Sequence, residues 1–133
     1  MKTIIYNADI ANEGCLTRGY IVIDDEMIAE VGEGTPPAAV MAECDVRNDV
    51  DGALVMPGVI DDQVHFRDPG LTHKADIATE SAAAVAGGVT SYMDMPNTVP
   101  PTVTIDALEA KNRRAQEVSV ANYGFFKIGR AHV

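Results

Sequence analysis

The sequence predicts an α/β protein in two parts: a small β-strand domain over residues 1–56, then the N-terminal part of a (β/α)8-type barrel over residues 57–127. Three observations predict it. Short β-favouring runs separated by polar turns fill the first part. From Pro57 the pattern becomes strand, loop, helix, repeated, which is how parallel βα units read. Polar residues with chemical potential gather where those strands give way to loops, the place where barrels of this kind keep their sites.

Ile4-Ile5-Tyr6, Gly19 to Ile23 and Met27 to Val31 are the expected strands of a β-meander, with Asp24-Asp25-Glu26 as the turn between the last two. Thr35-Pro36-Pro37 interrupts pairing, and the Ala-rich stretch after it reads as a short helix or a loop before Leu54-Val55-Met56. Such a sheet has a thin core. The first barrel strand, read as buried, follows Pro57 and ends in the segment Asp61 to Arg67. A helix is expected over Asp76 to Ala86, with an acid in its first turn and Gly87-Gly88 as its stop. Strand two is Val89 to Met95. Thr104 suits the N-cap of a helix running to Val118, where early Asp106 and Glu109 and late Lys111, Arg113 and Arg114 complement the helix dipole and do nothing more. Ala121 to Phe126 is the third strand, so about three of the eight strands of a closed barrel are present.

Composition excludes several classes. A hydrophobic content of 47% argues for a core-forming chain rather than a disordered one. A net charge of -10 disfavours nucleic acid and anionic membrane surfaces, both of which need clustered Lys and Arg. The apolar runs are short, and Met1-Lys2-Thr3 opens onto a strand rather than a secretory segment, so a cytoplasmic location is expected. Cys15 and Cys44 are isolated and read as free thiols in a reducing compartment.

The stretch Pro57-Gly-Val-Ile-Asp-Asp-Gln-Val-His-Phe-Arg-Asp-Pro-Gly70 carries the chemistry. Alternation along a strand lets Asp61, Gln63, His65 and Arg67 project from one face, where they could grip a metal and an anion; Asp62 falls on the other face. Beside Arg67 and Asp61, His65 reads as a metal ligand rather than a packed core histidine. Gln63 has an amide oxygen that can coordinate a hard cation but lacks the imidazole nitrogen zinc favours, so it either touches the ion or lines the pocket. Asp61 supports the ligands from behind. Met95-Pro96-Asn97-Thr98 follows strand two, and neighbouring strands could bring Arg67 and Asn97 to one anionic substrate, the guanidinium as a fork and the amide completing the hydrogen bonds. His73 reads as an exposed residue near a helix start, or as a loop histidine close to the site. Gly87-Gly88 lies in no phosphate-loop pattern.

These motifs, with Asp68-Pro69-Gly70 and Asp94-Met95-Pro96-Asn97-Thr98, resemble the dihydroorotase family of metal-dependent cyclic amidohydrolases, whose first motif is Asp-x-His-x-His-x-Arg. The first histidine position holds Gln63 here. The resemblance implies one or two zinc ions, with His65 as ligand, and a carboxylate-binding pair in Arg67 and Asn97. It implies reversible hydrolysis of dihydroorotate to carbamoyl-aspartate, in pyrimidine biosynthesis, and a homodimer or an assembly with aspartate carbamoyltransferase. It also places further histidines, a bridging group from strand four and a general-base aspartate from strand eight beyond Lys127. Activity is therefore expected of a longer protein and not of these residues alone. Two other readings stay open: a noncatalytic dihydroorotase-like subunit of aspartate carbamoyltransferase, for which Gln63 speaks, and a hydantoinase-type or allantoinase-type enzyme, against which Asn97 speaks.

Ile128-Gly129-Arg130-Ala131-His132-Val133 breaks the resemblance and matches the translation of a common sequencing adapter followed by a stop. Residues 128–133 are accordingly read as a non-native tail, and His132 is no ligand candidate.

Overall fold

A computed structural model describes residues 1–128. The reading of the tail falls, apart from Ile128, outside the described residues. The chain divides into a unit spanning Met1–Pro57 and a second that begins at Gly58.

In the first unit, β1 (Lys2–Asn12), β2 (Cys15–Asp24) and β3 (Met27–Glu33) form an antiparallel meander. Helix α1 (Ala38–Glu43) leads to β4 (Val46–Asp49) and β5 (Leu54–Val55), both parallel to β1, giving the order β3-β2-β1-β4 with β5 also on β1. The strands run longer than their apolar cores suggest, because cross-strand pairing carries polar residues into the ladder. The ambiguous Ala-rich stretch is helical. Its Val40 and Met41 pack against Ile4, Tyr20, Val22 and Cys44, while Ile28, Val31 and Leu54 stay exposed. Cys15 is exposed and Cys44 buried, and both are free thiols.

The second unit is a parallel sheet, β6 (Val59–Val64), β7 (Val89–Asp94) and β8 (Asn122–Phe125), in the order β6-β7-β8. Helices α2 (Ile77–Ala86) and α3 (Ile105–Val118) make the crossovers. Asp76 caps α2 by accepting from the Thr79 N–H, and that bond holds its carboxyl below the usual carboxylate range. The cap therefore stabilises α2 above the ordinary Asp value and is lost as pH falls through the lowered one. Gly88, at φ 89°, supplies the left-handed residue that turns the chain from α2 into β7. Thr104 caps α3 through Ala107 N–H at 3.2 Å. Replacing Thr104 by alanine should cost about 1 kcal/mol, read as a lowered urea midpoint with an unchanged slope.

Phe66, Ile77, Tyr92, Ala115 and Ala121 form the core of this unit, with Tyr123 and Phe125 half-buried against it. Burial raises the Tyr92 phenol above its ordinary value, and the hydroxyl donates to Ser119 Oγ at 3.1 Å. Two expectations are corrected here. The first barrel strand is not buried: Val59 to Gln63 are all exposed, because β6 is the edge strand and pairs with β7 alone among the described residues. Lys111 is not a solvated dipole residue either. It is fully buried on the sheet-facing side of α3, with Ala115 one turn on.

Candidate functional site

The loops that follow β6, β7 and β8 lie at one end of the parallel sheet. Backbone bonds from Met95 N–H to Val64 O and from Phe126 N–H to Asp94 O, each 3.0 Å, carry the strand ladder into them. An open groove of about 440 Å³ at this end is lined by Asp62, Gln63, Met95, Pro96, Phe126, Lys127 and Ile128.

Strict alternation from Asp61 to Arg67 does not hold. Asp61 pairs with Tyr92 and Val64 with Asp94, so β6 carries one residue more than β7 between those points. This bulge lets consecutive residues, Asp62 and Gln63, both line the groove, which corrects the assignment of Asp62 to the opposite face. Asp61 turns back on its own chain and accepts the Gln63 N–H at 3.1 Å. The strand ends at Val64, and Arg67 sits at φ 62°, in the left-handed region that costs a non-glycine residue about 1 kcal/mol or more. That backbone choice, and not strand alternation, sets the direction of its side chain.

The structure brings His65, Arg67 and Asn97 together. His65 Nδ1 lies 3.0 Å from Asn97 Oδ1, and Arg67 Nη1 lies 3.5 Å from the Asn97 carbonyl oxygen. An amide oxygen only accepts, so the histidine contact is satisfied with the proton on Nδ1, which leaves the Nε2 lone pair free. It also leaves the Asn97 Nδ2 hydrogens as donors. Arg67 and Asn97 are half-buried and His65 is exposed. His73 is exposed in the turn before α2, which starts four residues later, at Ile77.

The two loops are also stitched by Val99 N–H donating to Pro69 O at 3.1 Å. Gly70, at φ 85°, allows the approach: a Cβ there would stand 1.9 Å from the Val99 carbonyl oxygen. Gly70→Ala should therefore lose about 2 kcal/mol or more of stability, through strain and the clash together, measured by chemical denaturation.

Four further residues were given no part in the site by sequence reasoning. Asp94 is fully buried; its Oδ1 accepts the Phe66 N–H at 3.0 Å, and its Oδ2 stands 2.7 Å from Lys111 Nζ with no other partner among the described residues. Lys111 Nζ also donates to the Met95 carbonyl at 2.9 Å and lies 4.9 Å from the Phe125 ring centroid. Arg114 Nε donates to buried Asp68 at 3.2 Å. The signal for Lys111 was its place in the helical stripe Leu108, Lys111, Ala115, Val118.

The family profile described as Dihydro-orotase-like matches residues 52–132, more than half of the chain. The chain belongs to the dihydro-orotase-like family. A dihydroorotase of Methanothermobacter thermautotrophicus is 41% identical over 120 residues, 87% of this chain and 26% of the relative. One from Halobacterium salinarum is 53% identical over 70 residues, covering 53% of this chain and 17% of the relative. Among solved structures, an L-hydantoinase (dihydropyrimidinase) from Arthrobacter aurescens superposes with a TM-score of 0.80 at 30% identity, over 94% of this chain and 27% of the hydantoinase. The chain thus spans about a quarter of the length of the first of these relatives. The mixed α/β architecture is shared with that L-hydantoinase over the matched residues.

Among the described residues no three His, Cys, Asp or Glu side chains converge to hold a metal. His65 offers Nε2 with its Nδ1 proton already engaged by a carbonyl, which is how metal-ligating histidines are held. One imidazole held in this way is compatible with a zinc ligand, but the described residues do not bring together the three or four donors that a zinc site needs.

Among the described residues no helix is long and apolar enough to cross a membrane.

Proposed function

We propose that the chain is the opening portion of a dihydroorotase, a cytoplasmic enzyme that reversibly hydrolyses the cyclic amide of dihydroorotate to carbamoyl-aspartate in de novo pyrimidine biosynthesis. On this reading residues 1–56 are a small β domain, residues 57–127 are the first three βα units of a (β/α)8 barrel, and 128–133 are a non-native tail, although the family profile extends to residue 132. The observation that carries the reading is the meeting of His65, Arg67 and Asn97 on two adjacent loops at the end of a parallel sheet.

The substrate is a ring bearing a carboxylate. Arg67 presents a planar fork to that carboxylate, with only one N–H directed at the Asn97 carbonyl. Asn97 has its oxygen occupied by His65, so its Nδ2 donates to the same anion. Two donors of fixed direction orient the ring as well as bind it. His65 Nε2 would hold zinc, one ion or one of two, with the Gln63 amide beside it and Asp61 behind. When bound, zinc supplies an acidified water and a polarised ring carbonyl. The remaining ligands and the general base belong, on this reading, to the three quarters of the relatives that this chain does not span.

The test is to incubate the zinc-loaded full-length protein with dihydroorotate and follow carbamoyl-aspartate. Turnover is expected. Zinc binding without any turnover, while the protein associates with aspartate carbamoyltransferase, would favour the noncatalytic reading to which Gln63 points. Turnover of hydantoin or allantoin in place of dihydroorotate would favour the reading that the Arthrobacter structural likeness suggests. Gln63→His should tighten zinc if that side chain faces the ion, as read by competition with a chelating dye; unchanged affinity places Gln63 beside the metal and not on it.

A further inference from the structure

We infer that Lys111 and Arg114, three residues apart on α3, are positioning residues that set the spacing of the two site loops and thereby govern recognition of the substrate carboxylate; this rests on the dihydroorotase reading. The two cations reach both loops. Lys111 Nζ holds the Met95 carbonyl at 2.9 Å, two residues before Asn97, and pairs with Asp94 at 2.7 Å. Asp94 in turn accepts from Phe66 N–H at 3.0 Å, the residue between His65 and Arg67. Arg114 grips Asp68 at 3.2 Å, immediately after Arg67. One helix is thus tied, directly or through Asp94, to residues flanking every member of the His65, Arg67, Asn97 group.

The energetics point away from a purely stabilising role. Lys111 and Asp94 are both fully buried, and removing two charges from water gives up much of what their attraction returns, so an apolar pair of the same volume would serve stability as well or better. An apolar pair could not hold the Met95 carbonyl and the Phe66 N–H at once. Both are backbone groups that the strand ladder of β6 and β7 leaves without their regular partners as the strands end. The charged pair fixes the directions in which the two loops leave, and with them the spacing of the donors that face the substrate carboxylate.

The test compares Lys111→Met, the double variant Lys111→Met/Asp94→Asn and Arg114→Gln in the full-length enzyme, with dihydroorotate and with dihydrouracil, the same ring without its carboxylate. The double variant removes both charges, so it avoids stranding Asp94 and keeps an acceptor for Phe66 N–H. Expected for the double variant is a rise of about tenfold in KM for dihydroorotate, with kcat changed by less than about threefold and dihydrouracil kinetics unmoved. Arg114, partly exposed, gives a variant that folds even if the buried ones do not, and Arg114→Gln should show the same selective KM rise at a few-fold level. A loss of equal size on both substrates, or an unmoved KM in the soluble variants, overturns the inference. Hydrogen exchange at the amides of Thr98 and Thr102, both bonded to Pro96 O, reports on the loop independently of turnover. Faster exchange there in the double variant, without change in β7, supports positioning even if the wild type does not turn over dihydroorotate. Unchanged exchange together with unchanged KM removes it.

Discussion

His65→Ala in the full-length protein is expected to lower zinc content and to reduce dihydroorotate turnover by at least about a thousandfold. On the proposed reading the imidazole is held for this role by Asn97, whose Oδ1 accepts the Nδ1–H at 3.0 Å and leaves the Nε2 lone pair free. Asn97→Asp keeps an acceptor for Nδ1 and so should retain metal, while repelling a substrate carboxylate. The measurement is metal stoichiometry by elemental analysis alongside kcat/KM. Full zinc occupancy in His65→Ala would take this residue off the ion and turn the His65 to Asn97 contact into a purely structural one.

Arg67→Lys should lower kcat/KM for dihydroorotate by about a hundredfold, roughly 2.7 kcal/mol, while leaving zinc content unchanged. Lysine keeps the charge but loses the second N–H of the fork, and its single ammonium cannot satisfy a carboxylate in a fixed plane. The backbone reinforces the dependence on this position. Arg67 holds a left-handed conformation at φ 62°, with its carbonyl accepting from Leu71 N–H at 3.0 Å, so the side chain leaves the loop in a direction that strand geometry would not give. A variant that lost metal along with activity would instead assign Arg67 to holding the loop.

The strand and helix order was legible because its signals are local. Thr104 and Asp76 announce the two helix starts, Gly88 the exit from α2, and the turn between β2 and β3 lies where polar residues interrupt apolar runs. The pairing of Arg67 with Asn97 was legible too, because both follow adjacent parallel strands and loops at one end of a sheet must meet. What alternation could not supply was the detail of the first loop. A one-residue bulge between Asp61 and Val64 and a positive φ at Arg67 are properties of pairing with β7 and of tertiary packing, and neither has a signature in the residues themselves. Lys111 is a different kind of miss. A late-helix cation satisfies the dipole rule, yet the same residue interrupts the apolar stripe Leu108, Ala115, Val118, and a charge in such a stripe must find a buried partner, here Asp94. The exposure of β6 has the simplest cause: the buried character expected of its apolar residues requires neighbours on both sides, and β7 is its one partner among the described residues.

Comparing kcat/KM for dihydroorotate and for dihydrouracil in the full-length wild-type protein tests most directly whether Arg67 and Asn97 make this a carboxylate-reading site. The two rings differ only in the group the pair is held to bind. A preference for dihydroorotate of about a hundredfold or more is the result predicted, equivalent to one charge-assisted fork in a desolvated site. Equal turnover of both, or a preference for dihydrouracil, would contradict it and return the chain to the hydantoinase side of its relatives.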